Sequence, residues 1–487
     1  MTAAARSTGA PSGLPDDWES IEWKRVQKAV RRLQMRIAKA VRDGRHGKTK
    51  ALQWLLTRSL FGKLWAVKRV VSNRGRNTPG VDKVIWSTPN RKMQAVYNLR
   101  RRGYRPQPLR RIYIPKKNGR LRPLSIPTMR DRAMQALYKL ALEPVAETLA
   151  DPNSYGFRPN RSCADAIQQC FNSLARKDSP RWVLEGDIKA CFDDISHTWM
   201  HRHIPMDRQV LNHWLKAGYI EESNFYPTRA GTPQGGIISP LLANLTLDGL
   251  EAAVKRAVPW RSKVNVIRYA DDFVITGNSK DLLVSKVKPA VETFLKERGL
   301  VLSPEKTRIT QIEDGFDFLG QNLRKYAGKL LIKPAKENVQ TFLRSIKETI
   351  RKSAADKAGD LIRRLNPKIR GWANYHRHVV AGKTFSEVDT RIYGNLWDWM
   401  KKRHPTKSKG WLVRKYWSKG STLWAFSAEV ETPMGKQVVQ LIRASSIKIE
   451  RHIKVRGAAN PYDPQYKKYF AKRKAVRYNR RAGGAIT

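Results

Sequence analysis

The sequence predicts an α+β protein with basic, helical ends and a β-rich middle. Three observations carry this expectation. Apolar residues recur at three- and four-residue spacing from Trp18 to about Val71, and again from Lys336 to Arg403, with Lys and Arg between them. Two β-rich runs in the middle, Trp182–Ile195 and Val264–Gly277, are each interrupted by acids. The 487 residues carry 95 Lys+Arg against 41 Asp+Glu, a net charge of +54, or one uncompensated positive charge for every nine residues. Self-repulsion on that scale opposes a compact state unless a polyanion neutralises it. It argues against an ordinary metabolic enzyme and for a nucleic-acid partner. Disorder is excluded by 41% hydrophobic content with 15 Trp, 16 Tyr and 13 Phe. The length suits about two to four domains.

Cys163, Cys170 and Cys191 form no C-x-x-C pair, so neither a disulfide framework nor a Cys-rich zinc site is expected, and the chain reads as cytoplasmic. No apolar run reaches the length of about 18 residues that a membrane helix needs, so no membrane partner is expected. Residues 1–17 are small and polar and are expected to be disordered, without a signal core.

From Trp18, Val26, Val30, Leu33 and Ile37 mark one helix. Asp43-Gly44 and His46-Gly47 end it, and Leu52, Leu55, Leu56, Leu60 and Leu64 mark a second. A solvated basic face has the same pattern, but the global charge favours an arm on nucleic acid. Residues 18–97 read as this helical extension. From Asn98 to Arg122 there are ten Lys/Arg and no acid. Within that stretch, Arg111–Pro115 and Leu121–Leu124 read as strands joined by a turn at Lys116–Arg120, a basic finger suited to a triphosphate or a strand backbone. Asp131–Leu149 and residues 161–176 read as helices, separated by the loop Ser154-Tyr155-Gly156-Phe157-Arg158-Pro159.

The acids carry the chemistry. An apolar strand runs into Asp187, and a predicted hairpin places Asp271 and Asp272 at its turn. A solvated turn is the plain explanation for adjacent acids, but it fails on context. Acids bracketed by buried strands are costly unless something offsets their desolvation. Neighbouring carboxylates repel unless a cation sits between them. Hard oxygen ligands in that setting call for Mg²⁺, and two-metal phosphoryl transfer needs carboxylates that bridge both ions.

These residues also resemble a family. Tyr269-Ala270-Asp271-Asp272 is similar to the metal-binding hairpin of reverse transcriptases, and Asp187 with Phe192 five residues later resembles that family's first catalytic motif. Gly231-Thr232-Pro233-Gln234-Gly235-Gly236 and the residues to Asn244 resemble its fourth motif. Gly299-Leu300, Ser303–Thr307 and Phe316–Gly320 resemble its sixth and seventh, and Arg111–Arg132 and Ser154–Ser162 its first two. The helical start, the Thr78-Pro79-Gly80-Val81-Asp82 loop and the Ser154–Pro159 segment resemble the group II intron-encoded members, which are also maturases. The resemblance covers roughly residues 18–470. It departs at Lys83, where the family usually has Gly.

The resemblance implies a right-hand polymerase, with fingers and an antiparallel palm over residues 98–330. It implies catalysis by Asp187, Asp271 and Asp272, which with the Ile188 backbone carbonyl would ligate two Mg²⁺ ions. Lys116 and Arg122 would grip the triphosphate, with Lys117 and Arg120 as close competitors. Phe192 would exclude a 2′-hydroxyl, and Gln234 would line the nucleotide pocket. Asp193 and Asp194 are not expected as ligands; one of them is expected to bond the turn after Asp187 or to cap a helix.

In the last third, a basic helix to about Leu365, a break at Pro367 and a helix over Phe385–Arg403 predict a small bundle. It resembles the maturase-specific thumb, domain X, over residues 331–445. Residues 446–487 then read as a basic DNA-binding region. Its removal from residue 451 is expected to impair integration into DNA and to spare primer extension. No Cys follows Cys191, so no H-N-H endonuclease is expected. The implied partners are a group II intron RNA, target DNA with its primer strand, and dNTPs. The implied role is maturation and reverse transcription of the intron during retrohoming. A splicing factor with a decayed polymerase site and a reverse transcriptase serving phage defence are the two rivals.

Overall fold

The structure, a computed structural model, describes residues 17–115, 119, 121–418, 425–433 and 435–482. Of residues 1–17, expected to be disordered, 1–16 lie outside the described residues, as does Lys116 in the finger turn.

The N-terminal region has four helices where two were expected. Helices α1 (Trp23–Arg42), α2 (His46–Arg58) and α3 (Leu60–Val71) precede α4 (Pro89–Asn98). The predicted second helix is split at Ser59. Its extended backbone ends α2, and its hydroxyl accepts the Gly62 N–H to cap α3. These helices pack around α5 (Met129–Leu149), which is buried on nearly every face. The basic finger is an antiparallel pair, β1 (Leu109–Pro115) and β2 (Leu121–Ile126).

Next come α6 (Cys163–Leu174), β3 (Trp182–Lys189), α7 (Cys191–Asp194), α8 (His197–His203) and α9 (Arg208–Leu215). The hairpin of β4 (Tyr219–Glu221) and β5 (Asn224–Tyr226) was not foreseen; it extends the finger sheet by pairing β4 in parallel with β1. Helices α10 (Ser239–Leu247) and α11 (Leu250–Arg256) lead to β6 (Asn265–Tyr269) and β7 (Asp272–Gly277). After α12 (Lys280–Leu282), a π-helical turn and α13 (Lys288–Lys296), the chain adds β8 (Val301–Leu302) and β9 (Arg308–Gln311). The central sheet runs β6-β7-β3-β8, with β9 on the first half of β3. Gly186 lies under the Phe273 ring, where a Cβ would come within 2.3 Å of it, so only glycine lets β3 and β7 pack there.

A three-stranded sheet, β10 (Phe316–Phe318), β11 (Gln321–Tyr326) and β12 (Lys329–Pro334), leads to α14 (Lys336–Lys352), α15 (Ala358–His376), α16 (Gly382–Arg403) and α17 (Lys409–Tyr416). Pro367 does not break α15; the helix runs through it. Leu361, Ile362, Leu365, Ile369 and Ala373 form one buried face. Burying two or three such side chains, at about 1.5–3 kcal/mol each, outweighs the roughly 3 kcal/mol cost of an internal proline. The break falls instead between Ser353 and Lys357. The region expected to be purely helical also holds a sheet of β13 (Trp417–Ser418), β14 (Ala425–Thr432) and β15 (Gly435–Gln440).

The basic C-terminal region is not a free tail. Val455, Ala459 and Tyr462 are buried, and residues 452–463 strap across α6, α5 and α1. Asp165 of α6 accepts from His452 (2.8 Å), the Val455 N–H (2.7 Å) and Arg473 (2.7 Å). Arg161 donates to the Gly457 carbonyl (2.9 Å), Tyr462 to Glu143, and Arg42 pairs with Asp463. Beyond the strap, α18 (Lys467–Ala482) closes the described chain. Among the described residues, no helix is long and apolar enough to cross a membrane.

Candidate active site

Strand register brings the aspartates together. Asp187 on β3 pairs with Asp272 on β7, the last pair between these strands, and Tyr269 pairs with Asp272 to close the β6–β7 hairpin. Ala270 and Asp271 form its turn. Ile188, one residue beyond that last pair, pairs with Leu302 of β8 on the other side. Two alanines flank the acids in the left-handed region, Ala190 at φ 45° and Ala270 at φ 59°, each costing roughly 1–2 kcal/mol.

The surroundings hold the turn in place. The Tyr155 N–H donates to the Arg268 carbonyl (2.9 Å) and the Arg268 N–H to the Asn153 carbonyl (3.0 Å). Gly156 lies so close that a Cβ there would stand 2.3 Å from the Ala270 nitrogen. The buried Arg268 guanidinium donates to the Ala270 carbonyl (3.3 Å) and Asn244 (3.1 Å) and pairs with Asp248 (2.5 Å).

The electrostatics are those of crowded acids. Burial, then the Asp271 charge and the hydrogen bond and charge of Asp187, push Asp272 up to about 7, although its strand end opens to solvent. Burial and the Asp187 charge also raise Asp271, against the opposing pull of Lys306 and Arg122. Lys306 donates to Asp187 Oδ2 at 2.8 Å, and that bond raises its own pKa. Sequence reasoning missed Lys306 as a site residue. It stands in the Ser303–Thr307 segment already singled out, but only the fold carries that turn to β3, where the Ser303 N–H donates to the Asp187 carbonyl (2.8 Å).

The remaining expected residues lie around this group. Arg122, exposed on β2, is near enough for its charge to act on Asp271. Phe192 sits on α7 and meets Phe157 edge-on, ring centroids 6.3 Å apart and planes at 78°. Gln234 donates to Asp193 Oδ2 (3.0 Å), and its own carbonyl accepts the Ser125 N–H from β2 (2.7 Å). Asp193 thus engages Gln234, a partner not foreseen. Lys116, like its competitors Lys117 and Arg120, is outside the described residues.

The donor set suits Mg²⁺. Among the described residues no group of three or more His, Cys, Asp or Glu side chains is placed so that it could hold a metal ion by itself. Magnesium needs none, because it is commonly held by one or two carboxylates with waters and substrate phosphates. Acids that repel one another and recruit a lysine are the arrangement that a divalent cation relieves.

Comparison with known proteins places this geometry. Residues 114–323 match the reverse transcriptase (RNA-dependent DNA polymerase) family, residues 18–99 the N-terminal domain of reverse transcriptase, and residues 339–417 the group II intron, maturase-specific domain. Protein YkfC of Escherichia coli (strain K12) is 35% identical over 307 residues, 53% of this chain and 79% of that protein. The chain belongs to the group II intron-encoded reverse transcriptases. The group II intron-encoded protein LtrA of Lactococcus lactis subsp. cremoris is 29% identical over 405 residues, covering 68% of this chain and 66%, just under two thirds, of LtrA. Among solved structures, telomerase from Candida albicans in complex with a fragment of telomeric RNA overlays with a TM-score of 0.37 at 12% identity, over 72% of this chain and 68% of that one, too loosely to carry an argument. This intron-encoded reverse transcriptase is thus an RNA-directed DNA polymerase with a maturase domain.

Proposed function

We propose that Asp187, Asp271 and Asp272, with the Ile188 carbonyl, hold two Mg²⁺ ions and that the protein copies its intron RNA into DNA at target sites. The observation that carries this reading is the pairing of Asp187 with Asp272 beside Asp271, where burial first, and then the charges of Asp271 and Asp187, raise the proton affinity of Asp272. Bound Mg²⁺ would activate the primer 3′-hydroxyl and neutralise charge on the nucleotide's phosphates. Arg122, with Lys116, would bind the triphosphate, whose developing charge calls for preplaced cations. Phe192 would exclude a 2′-hydroxyl, and Gln234, held by Asp193, would border the nucleotide. Lys306 would position Asp187.

The splicing chemistry would belong to the RNA itself. The protein's part is to hold the RNA fold through charge and shape, chiefly along α14–α16 and the N-terminal helices. Target DNA, with its primer strand, would engage α18, which follows the strap as a run rich in Lys and Arg. Primer extension on an RNA template tests the metal reading. Synthesis should stop on chelation and return with Mg²⁺; synthesis undiminished by a chelator contradicts it.

A further inference from the structure

We propose that Phe157 is a positioning residue for Phe192 and thereby sets how strongly the site rejects ribonucleotides; this rests on the reading of Phe192 as the sugar gate. Phe157 is 52% exposed and belongs to none of the apolar clusters, so core packing does not account for it. Its backbone is in the left-handed region at φ 58°, which a bulky L-residue adopts only when its surroundings impose it.

Those surroundings lie on both sides. The Gly156 carbonyl accepts from Asn244 (2.8 Å), and Gly156 abuts the Ala270 nitrogen. The buried Arg158 grips Glu147 with two bonds (2.9 and 3.0 Å) and donates to the carbonyls of Asp151 (2.8 Å) and Ser154 (2.9 Å). The loop is therefore clamped before and after Phe157, and the residue between is driven into the conformation that sets its ring edge-on against Phe192. The Phe192 backbone is fixed in turn, because its carbonyl accepts the Thr232 N–H (2.7 Å). The Phe192 ring is only partly buried against the core, and the perpendicular Phe157 ring beside it limits how far it can tilt. A gate excludes a hydroxyl only if its ring cannot turn aside.

The test compares dNTP and rNTP incorporation by the full chain, as kcat/KM ratios on one RNA template and primer. Phe157→Gly suits φ 58°, so it should fold with undiminished Tm. It should nevertheless lose preference for dNTPs by about three- to tenfold, the size of an edge-to-face pair. Phe157→Tyr, which keeps the ring, should retain the preference. In the Phe192→Ala background, Phe157→Gly should add nothing. An unchanged preference in Phe157→Gly while Phe192→Ala relaxes it overturns the inference. An unchanged preference in Phe192→Ala overturns the gate reading itself, so the two failures are told apart.

Discussion

Lys83 holds φ 54° at a position where the resembling family usually carries glycine. The departure noted in the sequence therefore alters the residue and leaves the turn's backbone in the conformation a glycine would favour. Lys83→Gly should raise stability by about 1 kcal/mol, read as a higher melting temperature with unchanged polymerase activity. Gly156 is the reverse case. The Cβ of Gly156→Ala would meet the Ala270 nitrogen, so the hairpin turn must shift. Chain extension should fall by at least tenfold with the fold retained; extension at the wild-type rate would show the turn to be compliant. Residues of this kind divide what sequence could reveal. Asp187, Asp271 and Asp272 were legible because acids bracketed by apolar strands are costly unless something offsets their desolvation. Lys306 was not, because one more lysine among 95 Lys+Arg carries no signal until the fold sets it 2.8 Å from Asp187. Gln234 was legible by motif, but its partner Asp193 was not, since the two meet only across a turn.

Elements were legible where pattern and burial agree. The β6–β7 hairpin and the helix α16 follow their periodicity. The run of α15 through Pro367 does not, because a continuous buried face overrides a local breaker. The strap was the largest omission, since its reading rested on charge while its anchors are a few buried side chains and polar bonds to helices distant in sequence. Asp165 is its main attachment. Burial would raise that carboxyl, but the hydrogen bond and charge of His452, with Ser162 and the Val455 N–H, bring it down to about 2. Its folded pKa is thus below the unfolded value of about 3.9. The stability it contributes is complete above about pH 4 and is lost as pH falls towards 2. Hydrogen exchange at Val455 should therefore accelerate over that range, and Asp165→Asn should remove the dependence; a flat profile in the wild type contradicts it. The strap also changes the expected effect of truncation. Removal of residues 451–487 strips buried Val455, Ala459 and Tyr462 and should lower the melting temperature and extension together, whereas removal of 467–487 should spare extension. Equal loss from both truncations would count against the strap's structural role.

At the scale of the molecule, the net charge of +54 is a series of basic stretches along the N-terminal helices, the finger, α14–α16 and α18. A folded RNA can touch several of these at once. Each phosphate neutralised lowers the log–log dependence of affinity on salt by about 0.7 to 0.9, so RNA binding should show a slope of several units, and a slope near −1 would contradict multi-site contact. RNA should also raise the melting temperature in a concentration-dependent way. Within that field, the three aspartates are the one acidic cluster proposed to hold metal. The most direct measurement is primer extension on an RNA template by the wild type and Asp271→Asn, with RNA affinity measured on the same preparations. Synthesis is expected from the wild type and none from Asp271→Asn, both binding RNA. Full-length product from Asp271→Asn, or none from the wild type, would contradict the metal reading.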